Sequence, residues 1–539
     1  MWILIWLING FILFIFNQIS LFIGLIYLVP DVFRFLFMDK ETKKLMKILK
    51  STQDYNEWLD TALKIDKKAE RIQWKYIPKS SLYDYEYVDT VTKHLKDLLR
   101  KNNSNEVARF IRSIVSRNFS NITNEKLYRY LYSGTKQLID DYYDTLLKAL
   151  DYIASSDFPN KKTFFKEIKD FYGRTSLILS GGASIGMFHI GLLSNLLEQN
   201  LLPCIVSGSS AGSLTCAIIG TKTIEELKEL SKHNFTTLNF DGFLQKTQKG
   251  SLIRKFLRFI RYGYFIDKKP LMKFLKDNTD QLTFLEAFQK TGRIINITIS
   301  DSAHNKFRLL NYVTAPDVYV WSASLASCSL PFVYAPSKIV TKTSSGGMTN
   351  WLPGKKKFLD GSLGADVPKK ALGVLFNATN FIVSQTNLYI VPFITRGTHR
   401  RHSKGYVFLK LWNMISGIFL SELKHRLEQL NTMGFLPNKF ALLANLLMQD
   451  YTGDVNIVPE LRLKDFFDLL NNPNPKSVNE WCQRARNTTF FFIKQIKDFK
   501  QVEDKLASIY VKLKHQKKDS SYFTTPDETN TFDKSINWD

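Results

Sequence analysis

Cysteine is scarce in this chain and scattered: Cys204, Cys216, Cys328 and Cys482 form no C-x-x-C pair and have no histidine at metal-ligand spacing. That argues against a zinc site or a disulfide framework and makes a reducing compartment the default. No glycine loop is followed by Gly-Lys-Ser/Thr, so a P-loop is not expected. The glycine spacing of a dinucleotide fingerprint is missing too. Acidic residues are outnumbered, 50 Asp+Glu against 74 Lys+Arg, for a net charge of +24. Between Met1 and Pro30 there is no charged side chain at all. What the chain does have is apolar residues at 44%, enough to exclude wholesale disorder, and aromatic residues at 14%. A basic, aromatic chain suits an anionic membrane surface or a nucleic acid, and composition does not separate the two.

The uncharged start separates them. At ~1.5 Å per residue a helix over residues 1–30 is long enough for one tilted span of the ~30 Å bilayer core. The polar breaks Asn9-Gly10 and Asn17-Gln18 equally allow a re-entrant hairpin in one leaflet. A signal peptide needs a basic leader and a small-residue cleavage site, and neither is present. Arg34, Lys40, Lys43, Lys44, Lys47 and Lys50 follow, and the positive-inside bias puts the rest of the protein in the cytosol.

Residues from about 40 to 170 read as helices. Lys43-Leu45-Met46-Ile48-Leu49 and Tyr55-Trp58-Leu59-Leu63 repeat at three- and four-residue steps, as do Val107-Phe110-Ile111-Ile114 and Leu138-Ile139-Tyr142-Leu146-Leu150. No catalytic constellation stands out in this stretch, and a helical scaffold is the expectation.

Chemistry concentrates between Ser176 and Gly220. Ser176 to Leu179 is an apolar run typical of a buried strand, and it ends in Ser180-Gly181-Gly182-Ala183-Ser184-Ile185-Gly186. Helical spacing then starts at Met187. A strand, a glycine turn and a helix start leave backbone N–H groups pointing one way, which suits an oxyanion. A second strand-like run, Pro203 to Ser207, leads into Gly208-Ser209-Ser210-Ala211-Gly212 and another helix. Gly-x-Ser-x-Gly between strand and helix is the nucleophile-elbow pattern, so Ser210 is the expected nucleophile.

A serine hydroxyl needs a base to take its proton. His189 lies on the helix after the glycine loop, where packing or capping is the expected role. His399 and His402 sit in the basic stretch Arg396 to His402, which reads as a solvated or lipid-facing loop. The better partner is Asp360, at the end of the short strand-like run Phe358-Leu359-Asp360 before Gly361. A carboxylate at a strand's carboxyl end lies on the rim where α/β sites form. A plain Asp-Gly turn is the competing reading.

Gly181-Gly182-x-x-x-Gly186, Gly208-x-Ser210-x-Gly212 and Asp360-Gly361, in that order, resemble a patatin-like phospholipase domain with a Ser–Asp dyad. Trp58-Leu59-x-x-Ala62, Tyr83-Asp84-Tyr85, Arg117-Asn118, Ser133 to Lys136, Trp321 to Pro331, Asp366-Val-Pro368, Phe381 to Gln385 and Leu423 to Glu428 make the resemblance closer to the triacylglycerol lipases of yeast lipid droplets and plant oil bodies. The resemblance implies an α/β fold with a three-layer patatin-like sheet and helices on both faces, preceded by a helical domain and the membrane segment. The expected divisions are residues 1–30 in the membrane, 31–170 helical, 171–390 catalytic, 391–513 helical and 514–539 a polar, disordered tail. It implies Ser210 as nucleophile, Asp360 as general base, and the N–H groups of Gly181, Gly182 and Ala183 as an oxyanion hole, with no metal or organic cofactor.

Two departures stand out. Relatives usually carry a third glycine where Ala183 stands, and a Cβ resists φ > 0, so the hole is expected to be tighter. Ile185 stands where plant patatins carry a basic residue. None of the eight histidines has Asp five positions on, so the acyltransferase motif of some relatives is missing.

Leu252 to Tyr262 alternates Leu252, Ile253, Phe256, Leu257 and Ile260 with Arg254, Lys255, Arg258 and Arg261. That is a basic amphipathic helix, suited to a phospholipid surface or, alternatively, to packing on a core with its basic side solvated. The expected function is a lipase of lipid droplets and the endoplasmic reticulum membrane, facing the cytosol and cleaving triacylglycerol. A phospholipase or lysophospholipase of the same fold, a Ser–His–Asp hydrolase using His399 or His402, and an organising protein impaired at Ala183 are the alternatives. Nucleic acid is not an expected partner, because the basic residues border apolar helix and membrane segment.

Overall fold

The computed structural model describes residues 40–239, 252–301, 307–331, 333–352, 356–387, 390, 391, 394, 406–434, 446, 448–461, 465 and 474–516. The expected membrane segment over residues 1–30, His399 and His402 lie outside the described residues. Among the described residues no helix is long and apolar enough to cross a membrane.

The first part is helical because its apolar residues fall on one face. Ser104–Ile114 buries Val107, Ala108, Ile111 and Ile114, and Gln137–Ser155 buries Leu138, Ile139, Tyr142, Leu146 and Leu150. Helix starts are set by side chains that accept the free N–H groups of the first turn. Asp54 caps Tyr55–Lys68, and Asp84 caps Tyr85–Arg100.

A seven-stranded sheet follows. Its strands are β1 (Arg174–Leu179), β2 (Ile205–Gly208), β3 (Ile294–Asp301), β4 (Phe307–Leu310), β7 (Phe358–Asp360), β8 (Ala378–Ser384) and β9 (Val455–Ile457), while β5 (Val340–Lys342) and β6 (Met348–Asn350) form a separate hairpin. The order is β4-β3-β2-β1-β8-β9, with β7 paired to β3. The central strands β2, β1, β8 and β9 run parallel beside β3, and β4 and β7 run antiparallel to it. Every residue of β3 is buried, as expected of a sheet covered on both faces.

The final helix, Pro475–Gln516, extends past the expected start of the polar tail; residues 517–539 lie outside the described residues. It packs along helix Phe188–Glu198, which follows the glycine loop, and reaches helices Lys161–Tyr172 and Gln137–Ser155 of the first region. Arg117 fastens this junction. Its guanidinium donates to Tyr172, Gly173 and Phe499 carbonyls, to Thr175 Oγ1, and to Glu503 Oε2 at 3.0 Å.

Candidate active site

Two turns at the carboxyl edge of the sheet build the site. β2 pairs with one edge of β3 from Ile294 to Ile297, while β4 holds the other edge. After Gly208 the chain leaves that edge, and β7 takes it over, with Asp360 opposite Ile299. The residues just beyond β2 therefore lie beside the end of β7. The sequence places Asp360 on the rim, as the carboxyl end of a short strand. In fact β7 enters from the rim at Asp301 and runs inward, antiparallel to β3.

Ser210 occupies the elbow at φ 47°, ψ −123°, a conformation that is strained for a residue with a Cβ. Its surroundings hold it there. Ser210 N–H donates to Ser327 Oγ (2.9 Å), and its carbonyl accepts from Ser213 Oγ (2.6 Å) and Cys328 Sγ (3.1 Å). Gly212 is needed because a Cβ there would lie 2.1 Å from the Leu179 carbonyl oxygen. Gly361 is needed for the same reason, not for its dihedral angles: a Cβ would meet Thr298 O at 2.1 Å, and φ is an ordinary −64°. Close approach to β3, rather than a plain turn, explains the Asp-Gly pair.

Ser210 Oγ–H donates to Asp360 Oδ2 at 2.7 Å. The other oxygen, Oδ1, accepts from Ser362 N–H (3.0 Å) and Ser362 Oγ (2.7 Å). Burial pushes the Asp360 carboxyl up to about 6; the hydroxyl donors oppose the rise, and the nearby Asp366 adds to it. A carboxylate so placed holds its proton weakly at neutral pH and can accept one from the serine. Among the described residues no histidine bonds to either side chain. His189 is buried between Ser384 Oγ (2.8 Å from Nδ1) and the Ser180 carbonyl (2.9 Å from Nε2), and burial lowers it to about 4. It packs, as expected.

The glycine loop runs from β1 into a short 3₁₀ turn, Ala183–Met187, and then helix Phe188–Glu198. Gly181 departs from expectation: its N–H donates to Asp366 Oδ1 at 2.8 Å and is not free for an oxyanion. The N–H groups of Gly182 and Ala183 make no hydrogen bond among the described residues. Ala183 has φ 49°, the left-handed region expected to resist its Cβ. Two N–H groups, with helix N-termini behind them and behind Ser210, leave a place where negative charge is favoured. In the sequence Asp366 stands only within the motif Asp366-Val-Pro368, and nothing local signals that it reaches the loop.

Helix Leu252–Tyr262 forms over the expected residues; side chains 252–256 lie outside the description. Of the rest, Leu257 and Ile260 are 59% and 67% exposed, so they do not pack on the core.

Residues 177–372, which include Ser210 and Asp360, match the family described as patatin-like phospholipase. Residues 35–170 match a domain of unknown function, DUF3336. Triacylglycerol lipase ptl3 of Schizosaccharomyces pombe is 31% identical over 486 residues, 88% of this chain and 98% of that one. Triacylglycerol lipase 5 of Saccharomyces cerevisiae is 33% identical over 78% of this chain and 58% of its own length. Triacylglycerol lipase SDP1L of Arabidopsis thaliana is 30% identical over 87% and 59%. This chain thus spans little more than half the length of the last two relatives.

Proposed function

The chain belongs to the patatin-like phospholipase family, and on that premise we propose that it is a serine lipase hydrolysing acyl esters of triacylglycerol. The observation that carries the reading is the 2.7 Å hydrogen bond from Ser210 Oγ to a buried carboxylate, with no histidine bonded to the pair among the described residues. The relatives are triacylglycerol lipases by name, which supports triacylglycerol over phospholipid as substrate.

Asp360 accepts the Ser210 proton as Oγ attacks the ester carbonyl carbon. The resulting oxyanion faces the Gly182 and Ala183 N–H groups. Collapse breaks the bond to the leaving alkoxide, which takes the proton back from Asp360 and departs as the alcohol. Asp360 then deprotonates a water that attacks the acyl-enzyme, and the second collapse returns the proton to Ser210 as the fatty acid leaves.

The substrate lies in an interface, and the chain meets it with apolar and basic groups together. Leu257 and Ile260 face outward beside Arg258 and Arg261, a pattern suited to a phospholipid-coated surface. With residues 1–30 as anchor, the site of action is the lipid droplet and endoplasmic reticulum membrane, with the catalytic part in the cytosol.

Hydrolysis of triolein and phosphatidylcholine by the wild type and Ser210→Ala tests the reading. Triolein is expected to be the faster substrate, and Ser210→Ala to cleave neither. Equal rates would reject the triacylglycerol preference in favour of the phospholipase alternative. Fluorophosphonate labelling that survives Ser210→Ala would remove Ser210 as the nucleophile.

A further inference from the structure

The second aspartate of the site, Asp366, has no part in the proton transfers above, yet it is completely buried and its carboxylate accepts four hydrogen bonds. Oδ1 accepts from Gly181 N–H (2.8 Å) and Ser209 Oγ. Oδ2 accepts from Gln385 Nε2 (3.2 Å) and Asn387 Nδ2 (2.5 Å). Among the described residues it makes no ion pair. Its own N–H donates to Gln449 Oε1 (2.8 Å), and Gln449 Nε2 returns to the carbonyls of Ser362 (2.9 Å) and Leu363 (3.2 Å), in the turn that carries Asp360.

The four donors come from three separate segments. Gly181 is in the glycine loop after β1, Ser209 is the residue before the nucleophile, and Gln385 and Asn387 follow β8. Each approaches as a donor, so the group between them must offer acceptors on both sides; burial raises the carboxyl's proton affinity, and the four donors oppose that rise by favouring the ionised form. Donors of this kind to a charged acceptor are the stronger class of hydrogen bond. Gln385 is not free to turn its amide round, because its Oε1 accepts from Asn387 N–H at 3.0 Å.

We propose that Asp366 is a positioning residue that fixes the oxyanion loop against the nucleophile elbow. By taking the Gly181 N–H, it sets the orientation of the peptides that follow, so that the Gly182 and Ala183 N–H groups face Ser210. By taking the Ser209 hydroxyl, it holds the strained residue beside it. Its charge also lies near Asp360, which has the Cys328 thiol as a further titratable neighbour among the described residues. Loss of that charge therefore lowers the acid limb of the pH profile.

The kinetic arm of the test rests on the esterase reading, and the exchange arm does not. Asp366→Asn keeps the shape but sets an NH₂ against two donors; Asp366→Ala removes the acceptors and is the variant at greater risk of misfolding. On p-nitrophenyl butyrate, Asp366→Asn is expected to lose kcat by about 100-fold, the scale of an ångström-sized misplacement, with KM little changed. The acid limb is expected to move to lower pH. In hydrogen–deuterium exchange, residues 180–184 and 209–212 of the same variant are expected to exchange faster, while helix Tyr85–Arg100 stays as in the wild type. Wild-type exchange in both segments would overturn the proposal, as would wild-type kcat with an unmoved acid limb. If the wild type hydrolyses no ester but exchange rises locally in Asp366→Asn, the clamp stands and the esterase reading fails.

Discussion

Asp360, where β7 ends beside the elbow, and Asp498, on the long final helix, are both buried, and burial pushes both up to about 6. Their surroundings have little else in common. Asp498 faces a cation: Lys494 Nζ donates to it at 2.5 Å and to Asp140 at 2.8 Å, and Lys75 reaches Asp140 from the other side. Asp360 faces hydroxyls and one N–H, with a second carboxylate nearby and no ion pair among the described residues. At Asp498 the buried charge is matched by an opposite one, and at Asp360 it is not. A raised proton affinity alone therefore does not mark the active site; a mobile proton held between a serine and an uncompensated carboxylate does.

The sharpest way to break this contrast is to neutralise each aspartate in turn. Asp360→Asn is expected to lower kcat/KM by about 10³-fold, within the range for removing a general base. In the wild type, kcat/KM should rise with pH through about 6, as Asp360 loses its proton. The same substitution should make the fold more stable at pH 7–8. Asp360 binds its proton more tightly folded than unfolded, so its favourable contribution is complete below about pH 4 and is lost as pH rises through about 6. Asn mimics the protonated form and escapes that loss, by up to ~3 kcal/mol for a shift of about two pKa units. Urea unfolding at pH 4 and pH 8 reads the difference; an equal effect at both would refute it. Asp498→Asn should leave the acid limb of activity at about 6. If it moves the limb, the site is not confined to the sheet edge.

On the helical side the largest effect is expected at Arg117. Five donor contacts join the Tyr172–Gly173 turn, β1 and the final helix through one guanidinium, which also lies 4.4 Å over the Tyr172 ring. Arg117→Ala leaves Glu503 without its cation and three carbonyls without this donor, a loss of ~3–5 kcal/mol on the scale of broken buried pairs. Arg117→Lys should recover little, because an ammonium cannot span the same forks. Denaturation midpoints of both variants check this, and a Lys variant as stable as the wild type would reduce the junction to a charge contact.

The same contrast separates what the sequence revealed from what it did not. Ser210 and Asp360 were legible because their signals are local: a serine among glycines between strand and helix, and an Asp-Gly at a short apolar run. The helical region was legible in its periodicity, and Val107, Ile111 and Ile114 are buried as the spacing implied. The direction of β7 was not legible, since it depends on which edge of β3 is vacant when β2 turns away. The loss of Gly181 as an oxyanion donor was hidden for a similar reason. Its partner Asp366 lies far along the chain, and only the folded sheet brings the two together. Arg117 stood in plain view within a motif, but its five acceptors belong to three segments that meet only on folding.

The smallest expected effect bears on whether the sheet edge keeps its strain for a purpose. Ala183 holds φ 49° with its side chain exposed, so no packing rewards the Cβ for being there. The left-handed region costs an L-residue ~1–2 kcal/mol relative to its preferred backbone. Ala183→Gly removes that cost but loosens the unfolded chain by ~0.4–1 kcal/mol. The net expectation is a stabilisation of ~0.5–1 kcal/mol, read as a rise in the urea midpoint. Activity should change by no more than about twofold, because the Ala183 N–H makes no hydrogen bond among the described residues, and the loop, held from Gly181, keeps the same backbone path with either residue. A gain of about 100-fold, in contrast, would mean that the Cβ itself obstructs the oxyanion, and the chain would then be better read as an impaired hydrolase whose remaining business is with the lipid surface.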